Sequence, residues 1–588
     1  MIAAPSMGWN VHSVHDPAMK GANPMTTILA NQEPVALPAC RAEGSNWLPL
    51  LVLLALVIPL RGWLMWNTEV LARDSVTYIE YALRFEQHSW KEVLESTHQH
   101  PGYPLSILAM SIPVRQLLGP ADCFTMQLSA QLVSNLAAVL LIFPMYFLGR
   151  FFFERRIAFW GTLLFQFLPV SGQLLSDGVS EPLYLLLISS AFLCALWALR
   201  RQSLLLFAVC GIFCGLSYLT RPEAALVFAS TLLVLGIGPL VRGWRQSWKA
   251  NFCHGLVLTL ASLAVGSLYF GTTHTFSNKP SLKFLMFGRP VKPVKDTSKL
   301  DQANAVGRPV LEQKETAASV PLFASIFGDS LERKDPFTAR LGKGLLIFGM
   351  ETLHIFHYVG FLAVLLGFIW HLQRLRAVPE FALPCVFSLL HSSLLLALAC
   401  KVGYLSNRHL LPVALWGMYF AAAGFCDLSS RLRQWRPDGF AIVKGRLLAR
   451  MSLLLLLAFV GLCLPRTMQK LHASQAGNHL AGLWLAEHFK KGDFIRDDHN
   501  WTSFYAGEMF HMAPEPPEGR KSHWFVVITR SRDPKSQEKL RRQEQDLRDV
   551  MGTVVFHWPQ QVPEDQARVL IYTAVNDNVP HWWNGPPE

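Results

Sequence analysis

Residues Tyr103–Leu118, YPLSILAMSIPVRQLL, are the stretch on which the fold turns. They are apolar, yet sixteen residues with Pro104 and Pro113 among them are short for a helix crossing a hydrocarbon core of about 30 Å. Whether they count as a span sets the side on which every later loop lies. The rest of the chain makes that the deciding question. It has 588 residues, 51% hydrophobic and 16% charged, where a soluble protein carries about a quarter charged residues. Runs such as LPLLVLLALVIPLRGWLMW (48–66), LVLGIGPL (233–240) and LLLLLAFVGLCL (453–464) match bilayer-spanning lengths or parts of them. The chain reads as a polytopic membrane protein.

Without Tyr103–Leu118 the spans number about eleven: 47–66, 125–148, 157–173, 181–199, 204–219, 223–241, 253–271, 344–370, 380–400, 408–427 and 449–465. With the N-terminus inside, the inner loops 149–156, 200–202, 241–249, 371–376 and 429–450 hold sixteen Lys and Arg, while the short outer loops hold very few. Counting the stretch as a span moves those clusters outside, against the positive-inside rule. It is therefore read as a re-entrant or interfacial helix, with the C-terminus outside. Asp74, His100, Asp177, Glu181, Arg221, Glu223 and Arg408 then all fall on the outer face.

The net charge of +12 is accounted for by membrane topology, and no nucleic acid is implied. Seven of the ten cysteines (Cys194, Cys210, Cys214, Cys253, Cys385, Cys400 and Cys463) lie in apolar segments and none forms a CxxC pair, so no disulfide framework or zinc ribbon is written here. Residues 1–45 are polar and lack a cleavable-signal pattern; they read as a disordered cytoplasmic tail. Residues 46–465 read as the membrane domain. It holds a first outer loop (67–124) and a long, Lys-rich outer loop (272–343). Residues 466–588 read as a small outer α/β domain, with a helix near 477–491, strands GDFIRD, WFVVITR (524–530), TVVFHW (553–558) and RVLIYTAV (568–575), and a charged helix at 535–549.

An acid at a lipid boundary is costly unless it has a partner or a task. Asp74, before the helical pattern Val76, Ile79, Ala82, Leu83, reads either as an N-cap or as a general base taking a proton from an acceptor hydroxyl. His100-Pro101-Gly102-Tyr103-Pro104 is a turn by default, or a corner whose His binds phosphate or orients an acceptor. Glu181 before Pro182 suits a helix start. Asp177 has no such role, and two acids facing Asp74 leave room for an acceptor or a divalent cation. Arg221 and Glu223 flank a Pro and can pair locally. Arg408, at the mouth of a span, suits a bidentate phosphate contact or snorkels to the interface. His354, His357 and His371 make no ligand set, and the first two read as polar packing within a membrane helix.

Together, RDSVTYI (73–79), HPGYP (100–104), SDGVSEP (176–182), LTRPE (219–223), RHLLP (408–412) and LAEHFKKGDFI (485–495) resemble the GT-C glycosyltransferases of the family 39 type, the protein mannosyltransferases and aminoarabinose transferases. The resemblance covers roughly residues 46–500. It implies a mostly α, polytopic GT-C membrane fold with interfacial helices in the first outer loop. It implies a hexosyl- or pentosyltransferase that moves a sugar, with inversion, from a polyprenyl-phosphate donor to a lipid, glycan or protein hydroxyl at the outer face of the plasma (inner) membrane. Asp74 then becomes the base, and Arg408 with Arg221 the donor-phosphate ligands. His100 and Asp177 line the acceptor side, and Tyr103, Glu181, Glu223 and His409 complete the substrate-binding set. Two departures stand out: Ser75 follows Asp74 where many relatives have an acid, which puts metal use in question, and His409 replaces the commoner Tyr. A ligase or polymerase of lipid-linked glycans, a transporter or flippase, and a non-catalytic scaffold are the rival readings.

Overall fold

The structure, a computed structural model, describes residues 47–240, 247–279, 337–434, 443–497, 499–510, 513–530, 541, 544–545, 547–549 and 553–575. The tail 1–45, most of the 272–343 loop, part of the basic run 429–450 and most of the charged helix 535–549 lie outside the described residues. Residues 49–588 form one compact unit.

The chain enters through α1 (Trp47–Trp66). Then come α2 (Arg73–Gln87), α3 (Trp90–Ser96) and α4 (Gly102–Leu118). The bundle continues with α5 (Cys123–Leu140), α6 (Ile142–Phe152), α7 (Arg155–Phe167), α8 (Pro169–Leu174), α9 (Glu181–Arg201), α10 (Leu204–Thr220), α11 (Ala225–Ile237) and α12 (Trp248–Thr273). After the long loop follow α13 (Phe337–Ile355), α14 (Val359–Arg376), α15 (Ala382–Val402), α16 (Leu411–Gln434) and α17 (Val443–Thr467). Among the described residues nine segments are long and apolar enough to cross a membrane, by length and composition. The chain is a mostly helical, multi-pass membrane protein. Of the other two expected spans, 204–219 is the shorter apolar helix α10 and 157–173 is the broken pair α7–α8. The residue before a proline is driven to extended backbone, and Leu168 (ψ 136°) ahead of Pro169 makes that break. Arg61, 2% exposed within α1, repairs it: its guanidinium donates to the Gln166 carbonyl (3.1 Å), the Gly172 carbonyl (2.6 Å) and Ser176 Oγ (3.1 Å).

Tyr103–Leu118 forms α4, outside the nine candidate spans and packed on α2, α5 and α10. The expected span 344–370 is corrected. It is two helices, α13 and α14, parted where His357 and Tyr358 take φ of 55° and 57°, and only α14 is a candidate span. Arg340, Lys343 and Glu351 place three charges in α13. His354 sits in the last turn of α13 and His357 in the turn that follows it.

Beyond α17 the chain builds α18 (Ala476–His488), β1 (Phe494–Asp497), α19 (Trp501–Tyr505), β2 (His523–Thr529), β3 (Thr553–Trp558) and β4 (Val569–Val575). The sheet order is β1-β2-β4-β3, with β1 parallel to β2 and the other pairs antiparallel. WFVVI (524–528) is apolar throughout because both faces are covered: Trp524, Val526 and Ile528 pack with Leu570 and Tyr572, while Phe525 and Val527 pack against Ala481, Leu485 and Phe489 of α18 and its end.

Candidate active site

Asp74 does not cap its helix. α2 starts at Arg73 behind Ala72 with no side-chain cap, and the Ala72 N–H is held by Asp177 Oδ1 at 3.2 Å. Asp74 Oδ2 instead accepts a 2.6 Å hydrogen bond from Arg408 Nη1. Arg408 stands in the 3₁₀ turn Asn407–Leu410 that leads into α16.

From this pair an alternating chain of charges runs inward. Arg408 Nε lies 3.9 Å from Glu181 Oε1. The same Glu181 oxygen accepts from Arg221 Nη1 at 2.5 Å. Arg221 Nε lies 3.4 Å from Glu223, whose other oxygen is 3.5 Å from Lys279 Nζ. Three carboxylates and three cations thus balance. The side chains of Asp74 (17% exposed) and Arg408 (20%) form one open end and Glu223 and Lys279 (21% each) the other, while Glu181 (4%) and Arg221 (8%) between them are sealed. Burial opposes the charge on Arg221, but Glu181 and Glu223 outweigh it and hold the guanidinium above its ordinary value. Gly178 makes the turn between Asp177 and Glu181 with φ 68°, a left-handed conformation that L side chains rarely adopt. Five residues singled out in the sequence therefore meet here, and His409 lies within electrostatic reach of Arg221, Glu223 and Lys279.

The HPGYP corner supports this chain from behind. A Cβ on Gly102 would stand 2.8 Å from the Leu219 carbonyl carbon and 2.9 Å from Thr220 N, so only glycine lets α4 start against the backbone that precedes Arg221. His100 is buried, stacked on Tyr269 (4.4 Å between ring centres) and edge-on to Tyr218. Burial first, then the Lys279 ammonium, push its pKa down to about 3, so the imidazole is neutral. Its Nε2 meets Ser277 Oγ at 3.0 Å, and that oxygen accepts the Lys279 N–H at 3.2 Å. His100 thereby anchors the turn that delivers Lys279. Tyr103 does not join the network: its hydroxyl donates to the Ala130 carbonyl (3.0 Å), meets Ser134 Oγ (2.7 Å), and is fully buried.

Asp177 faces the C-terminal region. Its Oδ2 pairs with His472 Nε2 at 2.7 Å. The loop before Asp74 is gripped further by Trp501 Nε1, which donates to the Leu71 carbonyl (2.9 Å), and by Tyr505 Oη, which accepts the Leu71 N–H (3.2 Å). Phe504 buries itself with Val70, Leu71, Val76 and Ile79 in one apolar cluster. Burial opposes the charge on His472, but the Asp177 carboxylate outweighs it and raises the imidazole above 6.5. A raised folded-state pKa gives stability that is fully present below pH 6.5 and lost as pH rises through the raised value. Thermal unfolding in detergent between pH 6 and pH 9 is expected to show this decline, and His472→Gln to flatten it.

Sequence reasoning missed Lys279 and His472. Lys279 was absorbed into a basic loop, and His472 has no spacing signal at all. Among the described residues no group of three or more His, Cys, Asp or Glu gathers that could hold a metal ion. The acids that left room for a divalent cation are instead engaged by Arg408, Arg221, Lys279 and His472.

Residues 124–269, about a quarter of the chain, match the model of the family described as dolichyl-phosphate-mannose-protein mannosyltransferase. The matched segment holds Asp177, Glu181, Arg221 and Glu223. No curated protein matches the sequence. Several solved structures align with the chain, two of which follow. The archaeal oligosaccharyltransferase AglB from Archaeoglobus fulgidus, in complex with an inhibitory peptide and a dolichol-phosphate, is 13% identical; the alignment covers 85% of this chain and 68% of AglB, with a TM-score of 0.48. ArnT from Cupriavidus metallidurans, bound to undecaprenyl phosphate, is 11% identical over 93% of this chain and 100% of its own, also with a TM-score of 0.48. Over residues 124–269, then, the motif resemblance and the family match agree, and the chain is similar to a family of membrane glycosyltransferases whose donors are linked to lipid phosphate.

Proposed function

We propose that this chain transfers a sugar, with inversion, from a polyprenyl-phosphate donor to a hydroxyl of a lipid, glycan or protein at the outer face of the plasma (inner) membrane. One observation carries the reading: Asp74, beyond the end of α1, is held by the guanidinium of Arg408 at one open end of a charge-balanced network. The family match and the sixteen inner Lys and Arg support the chemistry and the sidedness.

The donor keeps its tail in the bilayer and brings its phosphate to the ends of the helices. There the phosphate oxygens compete with Asp74 for Arg408, and the bidentate geometry of a guanidinium suits them. Release of Arg408 frees the Asp74 carboxylate for an acceptor hydroxyl. The acceptor oxygen attacks the anomeric carbon opposite the phosphate, its proton passes to Asp74, and the carbon–oxygen bond to phosphate breaks. The leaving polyprenyl phosphate is a stable anion that Arg408, backed by Arg221, stabilises electrostatically, so no acid need protonate it. Glu181, Glu223 and Lys279 hold the two guanidinia charged and aimed. His100 and Asp177 serve the acceptor side by fixing the turns around it, Tyr103 fixes α4 beneath it, and His409 borders the donor side.

The test is transfer by purified protein in lipid nanodiscs from radiolabelled polyprenyl-phosphate hexoses and pentoses, with nucleotide sugars as the comparison. Transfer from a polyprenyl-phosphate donor alone is the expected result; no transfer from any of them, or transfer from nucleotide sugars, overturns the proposal. Arg408→Gln is expected to lower kcat/KM for the donor by about 10²- to 10³-fold, the usual loss for a group that stabilises developing charge.

A further inference from the structure

The turn Asn407–Leu410, which carries Arg408, is tethered on both sides by histidines that the charge network does not use. His391 lies inside α15, 2% exposed, with its ring stacked on Phe387 at 5.4 Å and 18°. Its Nε2 is 2.9 Å from the carbonyl oxygen of His409. A carbonyl only accepts, so Nε2 carries the proton and donates. Nδ1, the other ring nitrogen, is buried with no hydrogen-bond partner among the described residues. A second proton there would be a buried, unmatched N–H. The ring is therefore a neutral, one-directional donor fixed in plane by the phenyl beneath it. On the other flank His354, in the last turn of α13, places Nδ1 3.2 Å from Asn407 Nδ2 and 3.9 Å from Glu351 Oε2.

The residues immediately before and after Arg408 are thus each bound to a different helix. An ionisable side chain inside a membrane helix is costly and calls for a role, and the one hydrogen bond that His391 makes among the described residues is to this turn. Gly403, at φ 73°, ends α15 five residues before Arg408, so the short connection from that helix does not by itself set the turn's pose.

We infer that His391, seconded by His354, is a positioning residue: it fixes the backbone of the turn so that the Arg408 guanidinium reaches Asp74 and, in turn, the donor phosphate. The inference rests on the proposed phosphate-binding role of Arg408. Misplacing a binding group by about 1 Å costs about 100-fold in rate, which sets the scale of the effect.

Two variants separate positioning from packing. His391→Phe keeps an aromatic ring on Phe387 and deletes the donor; His391→Gln restores an N–H at nearly the same reach. His391→Phe is expected to lower kcat/KM for the donor by about 10- to 100-fold, chiefly through KM, with the melting temperature close to wild type. His391→Gln recovers most of the loss, and adding His391→Phe to Arg408→Gln brings no further loss. Wild-type transfer by His391→Phe, equal losses in the Phe and Gln variants, or losses that multiply in the Arg408→Gln background each overturn the inference. Amide hydrogen exchange over residues 406–411 reads the same tether without catalysis. Faster exchange in His391→Phe, restored in His391→Gln, supports it even if the donor panel shows no transfer; unchanged exchange sinks it whatever the activity.

Discussion

Asp74→Asn is expected to abolish sugar transfer while leaving the protein folded and inserted. An amide of the same shape still accepts from Arg408 at the 2.6 Å position that Asp74 Oδ2 occupies, so the turn stays docked. It cannot take the acceptor's proton. A positioned general base contributes about 10²- to 10⁴-fold, and loss of the carboxylate removes that and the negative charge that draws the hydroxyl in. The measurement is transfer by wild type and variant at matched expression, with size-exclusion profiles and melting temperatures compared. If the variant transfers as wild type does, Asp74 is only an anchor for Arg408 and the base lies elsewhere. Asp74→Glu is expected to retain a fraction of the activity, because the group is right and its reach is not.

Arg221→Met carries the largest expected effect on stability. Arg221 stands between Glu181, which is sealed with it, and the partly exposed Glu223, and it donates to Glu181 at 2.5 Å. Removing one member of a buried ion pair leaves an uncompensated charge and costs about 3–5 kcal/mol. Glu181 retains Arg408 only at 3.9 Å, and Glu223 retains Lys279 at 3.5 Å. The variant should therefore melt well below wild type in the same detergent. The double variant Arg221→Met with Glu181→Gln should regain part of the loss, since it removes the stranded carboxylate as well. If both variants melt as wild type does, the sealed centre of the network contributes nothing to stability and the charges there serve binding alone.

Much of this was legible in the sequence because the membrane enforces simple rules. Length and hydropathy marked the spans, and the paired prolines of Tyr103–Leu118 kept that stretch out of them. The strands of the C-terminal sheet were readable from short, dense apolar runs. Asp74, Glu181, Arg221, Glu223 and Arg408 were legible as a group because charges at helix ends on one face must find one another. What escaped is what distance along the chain conceals. The break at His357 and Tyr358 is a matter of backbone dihedrals in a stretch that is apolar on average. Asp177 reaches the Ala72 N–H, just before α2, from 105 positions away in the chain. Lys279 and His391 reach the site from elements whose own patterns say only loop and span. The Pro and Gly of the HPGYP corner signalled a turn, but its purpose, a close approach to the backbone before Arg221, depends on a neighbour 117 residues later, Leu219 to Gly102.

The grip of Trp501 and Tyr505 on Leu71, and of His472 on Asp177, also orders the protein's birth. Those three residues leave the ribosome after all nine candidate spans among the described residues, so a nascent chain already threaded into the bilayer has a loop before Asp74 that is still unclasped. On the proposed function, the site around Asp74 closes only when the C-terminal region has been made and folded. On that reading each polypeptide is silent during insertion, and one clipped before His472 does not consume carrier lipid.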